Sequence, residues 1–219
     1  GSRGAAAAVG REMSEDLIRG HRKFRQEYVG SEREFLLSLA SKGQSPDALY
    51  IGCSDSRVVP ELLTSSSPGE LFVLRNVANL VPVFNDPDSS VGAAIEYAVS
   101  HLKVPHIIVC GHYDCGGVKA ALDGLDKVRQ LPSLYEWLGE VRAAAENVDP
   151  ALDPALRWRR AVEESVVFQL GNLSSYPAVA SALAERRLKI HGWVYDPRTV
   201  SLSVYDADKH AFVPVSALI

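Results

Sequence analysis

Short apolar runs alternate with longer amphipathic segments along this chain. The runs at 48–53, 71–74 and 106–110 are apolar at almost every position, which predicts strands buried on both faces of a parallel sheet. Two more strands are predicted towards the C-terminus, at 190–195 and 200–205, with a turn at Asp196-Pro197-Arg198 between them.

Before and between these strands, apolar residues recur at helical spacing. They predict helices at 14–28, 32–41, 90–102, 133–146, 154–170 and 176–187. Strands that alternate with helices are typical of an α/β protein. We therefore expect a mostly parallel β-sheet flanked by helices, preceded by an N-terminal helical arm at 14–42.

The length of 219 residues is sufficient for one substantial hydrophobic core. The chain shows no internal repeat and no linker-like tract. We expect a single domain over 14–219, arm included. Residues 1–13 are interpreted as a flexible N-terminus or as residues left by expression.

Composition excludes several classes of protein. Hydrophobic residues make up 47% of the chain and charged residues 23%, which is ordinary for a globular protein. The net charge of -4 gives no general attraction for nucleic acid or for anionic lipid, so neither is an expected partner. No apolar run is long enough to span a bilayer. The cytoplasm is the expected compartment, or an organelle if a targeting peptide has been removed.

The three cysteines are too few for the disulfide framework of a small secreted domain. Cys53 ends the first predicted strand, while His112 and Cys115 follow the third. Ligands bind beyond the carboxyl ends of parallel strands, so these side chains are expected near one another. Two cysteines and one histidine form a ligand set for zinc that leaves a fourth position open for catalysis.

The pair His112-x-x-Cys115 is weak evidence by itself, because a loop histidine and a buried thiol would look the same. Nearby residues strengthen it. Gly111, Gly116 and Gly117 allow a tight backbone around the predicted site. An acid and a base, Asp55 and Arg57, stand directly after Cys53.

Two motifs resemble the signatures of the β-carbonic anhydrases. They are Cys53-Ser54-Asp55-Ser56-Arg57 and Gly111-His112-Tyr113-Asp114-Cys115-Gly116-Gly117. The resemblance extends over about 44–195 through the segments Pro68-Gly69-Glu70-Leu71-Phe72-Val73, Arg75-Asn76-Val77-Ala78-Asn79 and His191-Gly192-Trp193.

The resemblance implies a zinc-dependent lyase with Cys53, His112 and Cys115 as metal ligands and Asp55 and Arg57 as the catalytic pair. It implies that zinc-bound hydroxide attacks CO2 to give bicarbonate, and that the reverse reaction occurs at the same site. It also implies a homodimer, or a tetramer formed from two dimers.

The resemblance further implies alternative states of the site. In one branch of the family an aspartate at the position of Asp55 becomes a fourth zinc ligand and closes the site. That branch binds regulatory bicarbonate at positions that correspond to Tyr50, Arg75 and Tyr195, but it has Trp where this chain has Tyr50. The difference favours the open, plant-like branch, in which Gln44, Phe72 and Tyr97 correspond to substrate-binding residues.

Three other functions compete with this hypothesis. The same zinc site could serve a hydrolase of a CO2 analogue such as carbonyl sulfide or carbon disulfide. The metal could also stabilise a non-catalytic binding module, although such a module needs neither Asp55 nor Arg57. A redox-active thiol is the least favoured, because the chain contains no C-x-x-C pair.

Overall fold

Six strands form one mixed sheet within the described parts of the chain, with the order β2-β1-β3-β4-β5-β6. The computed structural model describes residues 2–85 and 89–217, and for residues 2–13 the backbone alone. The strands are β1 (Ala48–Cys53), β2 (Leu71–Asn76), β3 (His106–His112), β4 (Lys189–Asp196), β5 (Ser201–Asp206) and β6 (Ala211–Pro214). The first four run parallel, and β5 and β6 are antiparallel to their neighbours.

The apolar runs of the sequence correspond closely to these strands. All six residues of β1 are buried, as expected for a strand at the centre of a parallel sheet. The strands β2 and β3 each extend two residues beyond the predicted 71–74 and 106–110. The short edge strand β6 was not predicted, because a run of four residues that ends in a proline is too short to show the period of a strand.

The helices after residue 44 lie between the strands in the chain. They are α2 (Pro60–Thr64), α3 (Ser90–Glu96), α4 (Gly116–Asp123), α5 (Pro132–Glu146), α6 (Pro154–Leu173) and α7 (Pro177–Ala184). The predicted helix 90–102 is α3 followed by a π-helical turn at Tyr97–His101. The single turn of α2 was not predicted, since five residues are too few to show a helical period. The predicted α/β fold is confirmed.

The chain divides into two compact units, Gly1–Gln44 and Ser45–Ile219. The first contains one helix, α1 (Ser2–Lys42), in which Glu32 has non-helical φ and ψ of -108° and 15°. This break lies at the start of the second of the two predicted helices, 14–28 and 32–41. The flexibility predicted for 1–13, and a single domain over 14–219, stay predictions.

Most of the core lies on one face of the sheet. There Leu49, Ile51, Ile107 and Val109 pack in one hydrophobic cluster with residues of α3, α5, α6 and α7. A smaller cluster on the opposite face contains Ala48, Tyr50, Ile108 and Cys110. No helix within residues 2–85 and 89–217 combines the length and the apolar character needed to cross a bilayer.

The order of the strands places the carboxyl ends of β1 and β3 side by side. The chain continues from β1 to β2 on one side and then returns to β3 on the other. This reversal of direction leaves a crevice beyond the strand ends, which is the usual ligand site of an open α/β sheet. Cys53 ends β1 and His112 ends β3 at this position.

Helix α6 crosses β3 and β4 at two glycines. A Cβ atom added at Gly192 would lie 2.9 Å from Leu170 Cδ1 and 3.0 Å from Val166 Cγ1. One added at Gly111 would lie 2.7 Å from Val166 Cγ2. The absence of side chains at these two positions therefore determines how closely α6 approaches the sheet.

We expect Gly192→Ala to destabilise the protein by about 1–3 kcal/mol, because α6 would have to move away from the sheet. The free energy of unfolding in denaturant measures this. Gly139→Ala is the matched control, since Gly139 lies within α5 and nothing is within 4 Å of its added Cβ. The control should stabilise by about 0.5–1 kcal/mol. Equal effects of the two substitutions would contradict the packing argument.

Candidate metal centre

Three potential metal ligands converge at the crevice between β1 and β3. The ligand atoms of Cys53, His112 and Cys115 all lie within 4.8 Å of one another, and all three residues are buried. Cys53 is the last residue of β1, His112 is the last of β3, and Cys115 is the N-cap residue of α4. The structure brings together the three residues that the sequence predicted as one ligand set.

The imidazole of His112 is oriented by its own backbone neighbour. Its Nδ1 lies 2.9 Å from the carbonyl oxygen of Tyr113, which can only accept, so Nδ1 carries the proton. The lone pair is then on Nε2. This atom is buried and has no hydrogen-bond partner within the described residues. A buried acceptor without a partner is costly, and a metal ion would satisfy it.

The two thiols share a strongly coupled environment. The Cys115 thiol donates towards the Cys53 sulfur and so lowers the pKa of Cys53 despite burial. The same interaction and burial raise the pKa of Cys115. Burial and mutual repulsion therefore make two thiolates side by side unfavourable without a cation. A divalent cation would stabilise both thiolates.

Asp55 and Arg57 form a two-pronged ion pair beside the cluster. Arg57 Nε donates to Asp55 Oδ1 at 2.9 Å and Nη2 donates to Oδ2 at 2.7 Å. The backbone N–H of Arg57 also donates to Oδ1, at 3.0 Å. These bonds hold the pKa of the Asp55 carboxyl well below its usual range. Asp55 Oδ2 lies 3.7 Å from His112 Nε2, so the carboxylate faces the cluster while it is bound by Arg57.

Arg75 and Trp158 hold the backbone on two sides of the cluster. Arg75 donates from Nε to the carbonyl of Cys53 at 2.9 Å and from Nη2 to that of Asp55 at 2.7 Å. Trp158 Nε1 donates to the carbonyl of Cys115 at 3.1 Å. Sequence reasoning missed the role of Trp158, which lies far along the chain in α6, and gave Arg75 a different one.

Comparisons with known proteins agree with this geometry. The sequence profile of the carbonic anhydrase family matches residues 48–202. A carbonic anhydrase of Pseudomonas aeruginosa is 41% identical over 203 residues, which cover 92% of this chain and 91% of that protein. The solved β-carbonic anhydrase CcaA is 38% identical, with a TM-score of 0.88 over 93% of this chain and 92% of that one.

The chain belongs to the β-carbonic anhydrase family. Structures of two tetrameric β-carbonic anhydrases of Sordaria macrospora are also similar, with a TM-score of 0.70 at 33% identity over 90% of this chain and 96% of that one. The family and the carbonic anhydrase function predicted from the two motifs are confirmed. The hydrolase of a CO2 analogue and the non-catalytic module are not favoured.

The predicted substrate-binding residues of this carbonic anhydrase do not all lie at the metal cluster. Phe72 and Tyr97 lie together, with ring centroids 5.7 Å apart. Phe72 is paired with Leu49, whereas Asn76 is paired with Cys53. Four residues of parallel strand separate these two pairs, or about 13 Å. Gln44 ends the first unit, which is described by itself, so its role stays a prediction.

In the regulated branch, the positions of Tyr50 and Tyr195 belong to a bicarbonate pocket. In this chain the two residues contact other parts of the protein. The Tyr50 ring is buried against Gly52, where an added Cβ would lie 2.5 Å from Tyr50 Cε1. The carbonyl of Tyr195 accepts the backbone N–H of Tyr113 at 2.9 Å. Membership of the open, plant-like branch stays a prediction. Cys110 is buried in the smaller hydrophobic cluster, whereas Cys53 and Cys115 belong to the main one.

Proposed function

We propose that this carbonic anhydrase interconverts CO2 and bicarbonate at a zinc ion held by Cys53, His112 and Cys115. The observation that carries the proposal is the convergence of three buried donors within 4.8 Å, together with a His112 Nε2 that lacks a partner among the described residues. Two sulfurs and one imidazole nitrogen suit zinc, which binds such atoms at about 2.0–2.3 Å. When bound, zinc lowers the pKa of a water molecule so that hydroxide is available near neutral pH.

Asp55 and Arg57 supply the second part of the proposed site. Asp55 Oδ2 is the carboxylate oxygen that faces the cluster, 3.7 Å from His112 Nε2. It is placed to accept a hydrogen bond from the attacking oxygen and to orient its lone pair towards the carbon of CO2. Arg57 keeps the carboxylate in that direction through two parallel hydrogen bonds. It thereby also holds Asp55 back from the fourth zinc position.

We expect Cys53→Ser to abolish both stoichiometric zinc and CO2 hydration, because one of the two thiolates is lost. Metal analysis of the purified protein and rapid-mixing CO2 hydration measure this. Cys110→Ser is the matched control, since its sulfur is also buried but lies in the smaller hydrophobic cluster. Full zinc content and activity in Cys53→Ser would overturn the proposed ligand set.

The variant Arg57→Lys separates catalysis from metal binding. Lysine keeps the positive charge but cannot form two parallel hydrogen bonds with Asp55. We expect kcat/KM for CO2 hydration to fall by about tenfold to a hundredfold while zinc content stays stoichiometric. Unchanged kinetics would remove Arg57 from the site, and loss of zinc would assign it to metal binding instead.

The separation of Phe72 and Tyr97 from the cluster supports a homodimer as the active unit. Within one chain Phe72 lies about 13 Å along the strands from the level of Cys53, and Tyr97 lies beside Phe72. An apolar wall beside the metal, suited to neutral CO2, would therefore come from a second copy of the chain. The tetrameric β-carbonic anhydrases of Sordaria macrospora are consistent with assembly of this kind.

We propose the cytoplasm as the compartment.

Mixing an inactive variant with an impaired one tests the shared site. Tyr97 is 43% exposed, so we expect Tyr97→Ala to fold and to lower activity through substrate binding alone. Refolded together with Cys53→Ser, it should regain activity up to about a quarter of that of wild type, because half of the dimers are mixed and each has one intact site. No recovery would place Tyr97 outside a shared site. Full activity of Tyr97→Ala alone would remove it from substrate binding.

A further inference from the structure

Two residues separate the ligands His112 and Cys115, and both are held by the end of β4 and the turn that follows it. The Tyr113 ring lies under the guanidinium of Arg159, with 3.5 Å between Cζ and the ring centroid. Arg159 Nη1 in turn donates to Asp196 Oδ2 at 3.1 Å. The Tyr113 hydroxyl donates to Glu163 Oε1 at 2.6 Å. These contacts fix the residue whose carbonyl orients His112.

Asp114 has a more direct link to the same turn. Its carboxylate Oδ2 accepts a hydrogen bond from Arg198 Nε at 2.6 Å. Arg198 is itself held in the turn, because its backbone N–H donates to Asp196 Oδ1 at 3.0 Å. The turn after β4 is therefore connected to both residues of the loop between the ligands.

The backbone of Asp114 is in the left-handed region, with φ of 61°. This conformation costs any residue other than glycine some free energy, although aspartate tolerates it better than most, so the contacts of Asp114 help to maintain it. It points the carbonyl of Asp114 to Arg57, whose Nη2 donates to that oxygen at 3.3 Å. The same Nη2 donates to Asp55 Oδ2. A continuous series of contacts thus runs from Arg198 through Asp114 and Arg57 to Asp55.

We infer that Arg198 and Asp114 are positioning residues for the reaction. Their ion pair holds the left-handed turn between the two metal ligands and so directs the Asp114 carbonyl to Arg57 and fixes the direction of the Asp55 carboxylate. This inference rests on the proposed roles of zinc, Asp55 and Arg57. The Arg198 side chain is 74% exposed, so the pair contributes little to global stability. Its effect lies in the geometry of the site.

The test uses zinc-loaded protein and the variant Arg198→Gln. We expect kcat for CO2 hydration to fall by about threefold to tenfold with little change in KM, because orientation of Asp55 acts in the transition state. Transfer of zinc to excess chelator should become faster, since the loop between two ligands is less fixed. Arg198→Lys, which still reaches the carboxylate, should recover most of the loss in kcat.

Two further variants complete the test. Arg129→Gln is the matched control, because the Arg129 side chain is as exposed as that of Arg198 and forms an ion pair with Asp126 at 2.7 Å in a different part of the chain. It should leave both kcat and zinc transfer unchanged. Asp114→Asn combined with Arg198→Gln should be no worse than either single variant, as expected for two residues that act through one contact.

The outcomes separate the two hypotheses. If wild-type protein binds zinc and is active but Arg198→Gln behaves like Arg129→Gln, the positioning role is wrong and the proposed function stands. Additive effects of the Asp114 and Arg198 substitutions would also overturn it. If wild-type protein binds no zinc, the proposed function fails first.

Discussion

The pairing of β1 directly with β3 is the constraint on which the candidate centre depends. The two strands are separated in the chain by β2, which lies on the other side of β1. Their register pairs Gly52 with Cys110, so the carboxyl ends of β1 and β3 lie at one level. Cys53 and the His112–Cys115 loop therefore meet without any long excursion of the backbone. A shift in this pairing would separate the thiol of the first motif from the ligands of the second.

The metal cluster is part of the hydrophobic core. Cys53 and Cys115 belong to the main hydrophobic cluster, and His112 is fully buried. A thiolate and an imidazole lone pair in such surroundings are unfavourable unless a positive charge compensates them. Backbone N–H groups assist: those of Asp55 and Ala78 face Cys53, and those of Gly117 and Val118 at the start of α4 face Cys115. These N–H groups compensate part of the negative charge on the sulfurs, and a divalent cation would compensate the rest.

Much of this arrangement could be predicted from the sequence. The uniformly apolar run of β1 and the motifs at the ends of β1 and β3 were sufficient to predict the sheet and the ligand set, because both depend on local pattern. The contacts that hold the set in place could not be predicted. Trp158, Arg159 and Arg198 lie in distant segments and have no local signal, since an arginine on a helix or a turn usually faces solvent. The positions of Phe72 and Tyr97 relative to the ligands likewise depend on strand register and, in the proposed homodimer, on a second copy of the chain.

The alternation of side chains along β3 determines which of the three cysteine sulfurs lie near the proposed metal site. Cys110 alternates with Val109 along the strand, so its sulfur lies in the smaller cluster with Tyr50 while Val109 lies in the main cluster. The sheet therefore stands between the Cys110 sulfur and the sulfurs of Cys53 and Cys115, which belong to the main cluster. Register errors during folding would exchange one face of β3 for the other, and the close approach of α6 to Gly111 and Gly192 tolerates only one of the two faces. The close packing of α6 on these glycines therefore favours the arrangement in which Cys53 and Cys115, and not Cys110, lie on the face of the main cluster.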